Sequence, residues 1–175
     1  ITVNPVPAAI GGSGNICLGS TTTLTDADAG GTWSSSNTSI ATVGSSTGIV
    51  SGISLGTATI TYKFTATNCY ITKVVTVNAY PTGITGSLNA CVGPSVTLGN
   101  AVTGGTWSSS NTSVATIGNS TGAITGVALG TTVITYTPAS GCYVTAVVTV
   151  NPDPSGITGT LSVCPSFCTT LSSTS

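Results

Sequence analysis

Six cysteines, Cys17, Cys69, Cys91, Cys142, Cys164 and Cys168, are the residues of this 175-residue chain best equipped for covalent chemistry. The only charged side chains beside them are Asp26, Asp28, Asp153, Lys63 and Lys73, and there is no His, Arg or Glu. The cysteines follow no CxxC spacing and have no histidine to complete a tetrahedral set, so no metal site is expected. General acid and base catalysis near neutral pH draws on His or a perturbed carboxylate. That supply is nearly empty, so the chain is expected to have no catalytic residues, no cofactor and no enzyme activity. A nucleic-acid partner would need clustered Lys or Arg, and two separate lysines do not make such a patch. What remains for the cysteines is disulfide formation, which places the chain in an oxidising, extracellular or cell-surface setting as a secreted protein.

The lesser candidates have structural explanations as good as their functional ones. Asp26 and Asp28 form a possible calcium pair, but two carboxylates without further acids make a poor cage. Trp33 and Trp107 could stack on sugars, yet one tryptophan per small sandwich is expected to plug its core, with Tyr62 and Tyr136 as core partners. Asn37, Asn111 and Asn119 stand in N-x-S/T glycosylation sequons. The first two are also suited to bend the chain by bonding their own backbone two residues on. Lys73 shares the parity of apolar Ile71, Val75 and Val77, so it is expected at a rim, with its ammonium reaching outward. Gly11-Gly12-Ser13-Gly14 opens no helix and reads as linker, not as a phosphate cradle.

The elements that must position these residues are strands. Thr and β-branched aliphatics favour pleated, half-buried surfaces, and the abundant Gly, Ser and Asn supply turns. Apolar stretches are short and interrupted, far below the 18 or so residues of a membrane span, so no membrane partner is expected. The chain opens on ITVNP and not on a charged and then apolar leader, which suits a mature segment or one cut from something longer.

Internal repetition organises the whole. GGTWSSSNTSIATV at Gly30–Val43 returns as GGTWSSSNTSVATI at Gly104–Ile117, and Cys17, Cys69 and Val77-Asn78 return as Cys91, Cys142 and Val150-Asn151. The repeat is about 73 residues long. We therefore divide the chain into residues 1–5, the closing strand of a preceding repeat; 6–78, repeat 1; 79–151, repeat 2; and 152–175, the start of a third. Within repeat 1 short strand signals are spaced as in a sandwich: Ile16–Leu18, Thr21–Thr25, Gly31–Ser35, Ile40–Val43, Gly48–Ser51, Gly56–Thr65 and Tyr70–Val77. Turns are expected at Gly19 and Thr67-Asn68.

The segments TWSSSNTSIATV, STGIVSGISLGTATITY and VVTVN, with their second copies TWSSSNTSVATI, STGAITGVALGTTVITY and VVTVN, resemble the bacterial immunoglobulin-like (Big_2-type) repeats of large secreted Bacteroidetes surface proteins. The resemblance implies an all-β chain of tandem immunoglobulin-like β-sandwich repeats. It also implies a role in stalks or adhesins. The cysteine pair in each copy departs from the commonest form of that family, so its pairing is argued separately.

Two pairings are open. Cys17 with Cys69 and Cys91 with Cys142 would close each repeat on itself. In such a sandwich, however, the first turn and the last hairpin lie at opposite poles. Strands of about six to ten residues at roughly 3.3 Å each put some 20 to 35 Å between them, against a Cα reach of about 7 Å for a disulfide. Head-to-tail stacking instead brings the first turn of one repeat to the last hairpin of the next, which favours Cys17 with Cys142 across the domain boundary. Cys164 and Cys168 could bridge locally, and nothing in the spacing decides it.

The expected function is a non-enzymatic structural repeat of an extracellular filament or cell-surface stalk. Nearly uncharged faces would let it associate with itself, as a homopolymer or bundled fibre, because little like-charge repulsion holds copies apart. The alternative is an adhesin module that binds a surface glycan or another surface ligand, for instance through the Thr rows of TTTLT and TATIT.

Overall fold

The computed structural model describes residues 3–153, 170 and 172 of the chain. Cys164, Cys168 and nearly all of the segment assigned to a third repeat lie outside the described residues, as do Ile1 and Thr2. Contacts divide the chain into two compact units. Unit 1 is Ile1–Thr82 with Val102–Gly105 and Thr137–Val144, and unit 2 is Gly83–Ala101 with Thr106–Tyr136 and Thr145–Ser175.

Every regular element among the described residues is a strand. The first seven are β1 (Asn15–Cys17), β2 (Thr21–Thr23), β3 (Gly31–Ser35), β4 (Ala41–Val43), β5 (Ile49–Gly52), β6 (Gly56–Phe64) and β7 (Tyr70–Asn78). The second seven are β8 (Asn89–Cys91), β9 (Ser95–Thr97), β10 (Thr106–Ser109), β11 (Ala115–Ile117), β12 (Ala123–Gly126), β13 (Gly130–Thr137) and β14 (Val144–Asn151). The first seven form one sheet in the order β1-β7-β6-β3 and another in the order β2-β5-β4; the second seven repeat this as β8-β14-β13-β10 and β9-β12-β11. The opening strand pairs in parallel with the closing strand in each set, β1 with β7 and β8 with β14. Polar loops are cheap where they run over the surface, so strands this short need the opposing sheet to cover their apolar face.

Period-two alternation builds that face. Along β6, Ala58, Ile60 and Tyr62 are buried while Thr57 and Lys63 are exposed. Along β7, Val75 and Val77 point the same way, opposite Val74. The partner sheet contributes Ala41 and Val50, with Leu24 just beyond β2, and these close on Ile16, Trp33 and Ile60 as one core. The second set buries the equivalent residues Ala90, Leu98, Trp107, Ala115, Ile124, Ile134, Tyr136, Val148 and Val150.

Two glycines are demanded by close approach. Gly31 lies beneath the Tyr62 ring, and a Cβ there would overlap ring atoms. Gly48 has φ +68°, and its Cβ would fall on the Leu24 carbonyl oxygen and within 3.1 Å of Trp33 Cε2. Gly48→Ala should therefore combine left-handed strain with overpacking, a loss of about 2 to 4 kcal/mol. Gly19→Ala shares the left-handed φ (+76°) but meets nothing within 4 Å, and should cost only about 1 kcal/mol. Urea midpoints of the two variants check the difference, and equal losses would contradict it.

The expectation of a free glycine linker at residues 11–14 is corrected by the backbone. Gly11 forms an antiparallel bridge with Thr25, with N–H to oxygen distances of 2.8 and 3.3 Å in the two directions. Glycine allows this because a side chain at Gly12 (φ +93°) would run into the Thr23 carbonyl at 2.5 Å. The segment is thus sewn to the sandwich edge and is not a spacer.

Candidate functional site

Cysteine placement is the chemically distinctive feature. Cys17 ends β1, where the parallel ladder pairs it with Asn78 of β7. Cys142 sits in the turn before β14, fully buried, with its amide directed to the Ser140 hydroxyl at 3.4 Å. The two are joined by a disulfide with a Cα separation of 5.6 Å. Because Thr137–Val144 is grouped with unit 1, this bond lies within that unit. Cys69 and Cys91 are free, half-buried thiols, so the pairing of Cys17 with Cys69 and of Cys91 with Cys142 is not formed.

Trp33, Trp107, Tyr62 and Tyr136 stand in the cores. Trp33 is 8% exposed and Trp107 6%. Each is tilted against its tyrosine, Trp33 on Tyr62 at 4.6 Å between ring centroids and Trp107 on Tyr136 at 4.5 Å. Tyr62 adds a polar clamp that the strand pattern did not reveal. Its hydroxyl accepts from Gly31 N at 2.9 Å and donates to the Asp28 carbonyl at 2.7 Å. A partly buried donor and acceptor left bare typically cost about 1 to 3 kcal/mol, so Tyr62→Phe should lose that much in urea unfolding. No measurable loss would contradict the clamp.

A recess of about 380 Å³ adjoins this clamp, lined by Asp26, Asp28, Trp33, Ser46, Thr47 and Tyr62. One oxygen of each carboxylate is engaged with backbone, while Asp26 Oδ2 is buried without a partner. Asp26 Oδ1 accepts from Asp28 N at 3.0 Å, and Asp28 Oδ2 accepts from Ala8 N at 2.9 Å. The pair thereby shapes a turn and ties down the incoming chain. Among the described residues no three of His, Cys, Asp and Glu gather as a metal site would require.

Lys73 reaches past its half-buried stem to the edge of the sandwich, where Nζ donates to the carbonyls of Ile10 (3.0 Å) and Gly12 (2.7 Å). It fixes the glycine segment described above. The signal available in the sequence was a lysine on an apolar parity, which locates the stem but not the two carbonyls. Asn37 and Asn111 are exposed, and each accepts from the amide two residues on, Ser39 N at 3.0 Å and Ser113 N at 3.1 Å. Asn119 is also exposed, and its Nδ2 donates to the Trp107 carbonyl at 3.4 Å.

Outward faces carry a pattern that alternation alone placed but did not interpret. On β7 it runs Tyr70, Thr72, Val74 and Thr76, and at β14 Tyr143, Thr145, Val147 and Thr149. Tyr70 and Tyr143 are 59% and 57% exposed, Val74 and Val147 58% and 56%. The loops before β6 and β13 add exposed Ile53 with Leu55 and Val127 with Leu129. No helix among the described residues is long and apolar enough to cross a membrane.

Comparison with known proteins finds similar solved structures. The surface layer protein SbsC is similar over domains 1–6 at 26% identity and TM-score 0.35, covering 81% of this chain, which spans 25% of that one. Domains 4 and 5 of the same protein are 28% identical over 74% of this chain and 82% of that one, at TM-score 0.35. A C-terminal fragment of intimin, solved with the intimin-binding domain of its translocated receptor, is 14% identical over 90% of this chain and 68% of that one, at TM-score 0.46. No curated protein matches. Residues 1–69 match the family model of the bacterial Ig-like domain (group 2), and the all-β fold around them is immunoglobulin-like.

Proposed function

We propose that this chain is a non-enzymatic, structural segment of an extracellular filament or cell-surface stalk, built of tandem immunoglobulin-like repeats that associate with one another through nearly uncharged faces. The observation that carries the reading is the repeated outward row of Tyr, Thr and Val along β7 and at the start of β14. Exposed apolar side chains in a row on a strand face favour burial against another surface. With two lysines and three aspartates in the whole chain, little charge opposes that approach. The Cys17–Cys142 bond supports the same reading, since a cross-link between residues 125 apart restricts how far the intervening chain can open.

The glycan-binding alternative has less support. Trp33 and Trp107 are committed to the cores, which withholds the stacking faces a sugar would use. Negative-stain electron microscopy of the purified chain tests the proposal. Fibres or laterally bundled rods are expected, and single particles at every concentration would overturn it.

A further inference from the structure

We propose that Cys91 of one copy of this chain and Cys69 of a second copy form a disulfide of the same kind as Cys17–Cys142, so that copies link covalently head to tail. The inference rests on the self-associating reading above and adds the atoms through which it is locked.

The argument is one of equivalent local geometry. Cys91 ends β8 as Cys17 ends β1. Both are half-buried, and both stand in parallel register with an asparagine of the closing strand, Asn151 for Cys91 and Asn78 for Cys17. Cys69 precedes β7 as Cys142 precedes β14. The amide of each points at a hydroxyl two residues back, Thr67 Oγ1 for Cys69 and Ser140 Oγ for Cys142, at 3.4 Å in both. The residue before each is left-handed, Asn68 at φ 60° and Gly141 at φ 82°. The backbone that presents both halves of the existing bond is thus built a second time, with a free thiol on each half.

Burial sharpens the contrast. Cys142, bonded, is fully buried, whereas its counterpart Cys69 is only partly covered, and its thiol donates to the Asn4 carbonyl at 3.8 Å. Cys69 lacks the cover that Cys142 has, and a first turn bearing Cys91 from another copy is the element that matches. One thiol of each kind per chain lets each copy join two neighbours, so head-to-tail linkage is read as a ladder of covalent oligomers.

Bond formation needs a disulfide oxidant, for which oxidised glutathione serves. The Cys91 thiolate attacks one glutathione sulfur and releases one glutathione thiolate. The Cys69 thiolate of the second copy then attacks the Cys91 sulfur of the mixed disulfide and releases the other. Two protein thiols are oxidised, one glutathione disulfide is reduced to two thiols, and two protons go to solvent or to the released thiolates.

The test uses the full chain carrying Cys164→Ser and Cys168→Ser, which removes the terminal thiols, oxidised with glutathione disulfide and run on a nonreducing gel. A ladder that dithiothreitol collapses is expected. Adding either Cys69→Ser or Cys91→Ser should abolish the ladder, while mixing those two variants should restore a dimer whose peptide map contains Cys69 joined to Cys91. Circular dichroism confirms that each variant is folded. A chain that stays monomeric on the gel, or one linked only as Cys69–Cys69 or Cys91–Cys91, would overturn the inference. Fibres that form in reductant, without any ladder on oxidation, would overturn it while leaving the filament reading standing. A ladder without fibres would do the reverse.

Discussion

Replacing Trp33 with alanine is expected to remove about 3 to 5 kcal/mol of stability, the range for deleting a buried aromatic side chain. The indole is 8% exposed, stacks on Tyr62 at 4.6 Å, and approaches Gly48 so closely that no side chain fits between them. Its backbone amide also donates to the Ser45 carbonyl at 2.9 Å, which fixes the strand against the turn it faces. Alanine would leave a cavity bounded by β3, β5 and β6, and the surrounding residues, held in sheet register, can collapse only partly. Since whole domains are stable by only about 5 to 15 kcal/mol, the variant should fall far down its unfolding curve. Circular dichroism against urea measures the shift. Trp33→Phe, which fills part of the space, should recover much of it. A loss as small as that of an exposed substitution would show that the indole is not the core plug.

Opening the Cys17–Cys142 bond is the second large effect. For a sequence separation of 125, loop closure in the unfolded chain is worth roughly 4 to 5 kcal/mol on the chain-entropy model. The double variant Cys17→Ser/Cys142→Ser removes the cross-link without leaving a lone reactive thiol. Cys142 is fully buried, so the serine hydroxyl adds its own burial cost unless it finds a partner. Chemical unfolding of the oxidised chain, the reduced chain and the double variant should rank them in that order. Identical midpoints for the oxidised and reduced protein would remove the disulfide from the account of stability.

Much of the architecture was legible from residue order, because it rests on local physics. Alternation in TATITYKF places Ala58, Ile60 and Tyr62 on one side of β6, and the glycines and asparagines around it mark where strands stop. The strands read from the sequence and those in the structure agree within a few residues, as for Gly31–Ser35. What residue order does not carry is distance between segments far apart in the chain. Whether Cys17 meets Cys69 or Cys142 depends on which pole each turn occupies and on what lies next to it, so the sequence left both open. The same holds for Lys73, whose two carbonyl partners lie 61 and 63 residues away. It holds also for Gly11, read as linker because its bridge to Thr25 depends on the chain folding back along the sheet edge. Of the candidate site, the residue types were visible early. The backbone amides that Asp26 Oδ1 and Asp28 Oδ2 accept from emerge only in three dimensions.

Surface composition was equally plain in the sequence, but its arrangement was not. Tyr70, Val74, Tyr143 and Val147 become an argument for association only when they share exposed strand faces in corresponding places. Light scattering of the full chain across a concentration series, in parallel with a Val74→Lys/Val147→Lys variant, tests that argument most directly. Self-association through these faces predicts a wild-type mass that climbs with concentration in the presence of reductant, while the lysine variant stays near the mass of one chain. A wild-type chain that remained at the mass of one chain throughout would contradict it.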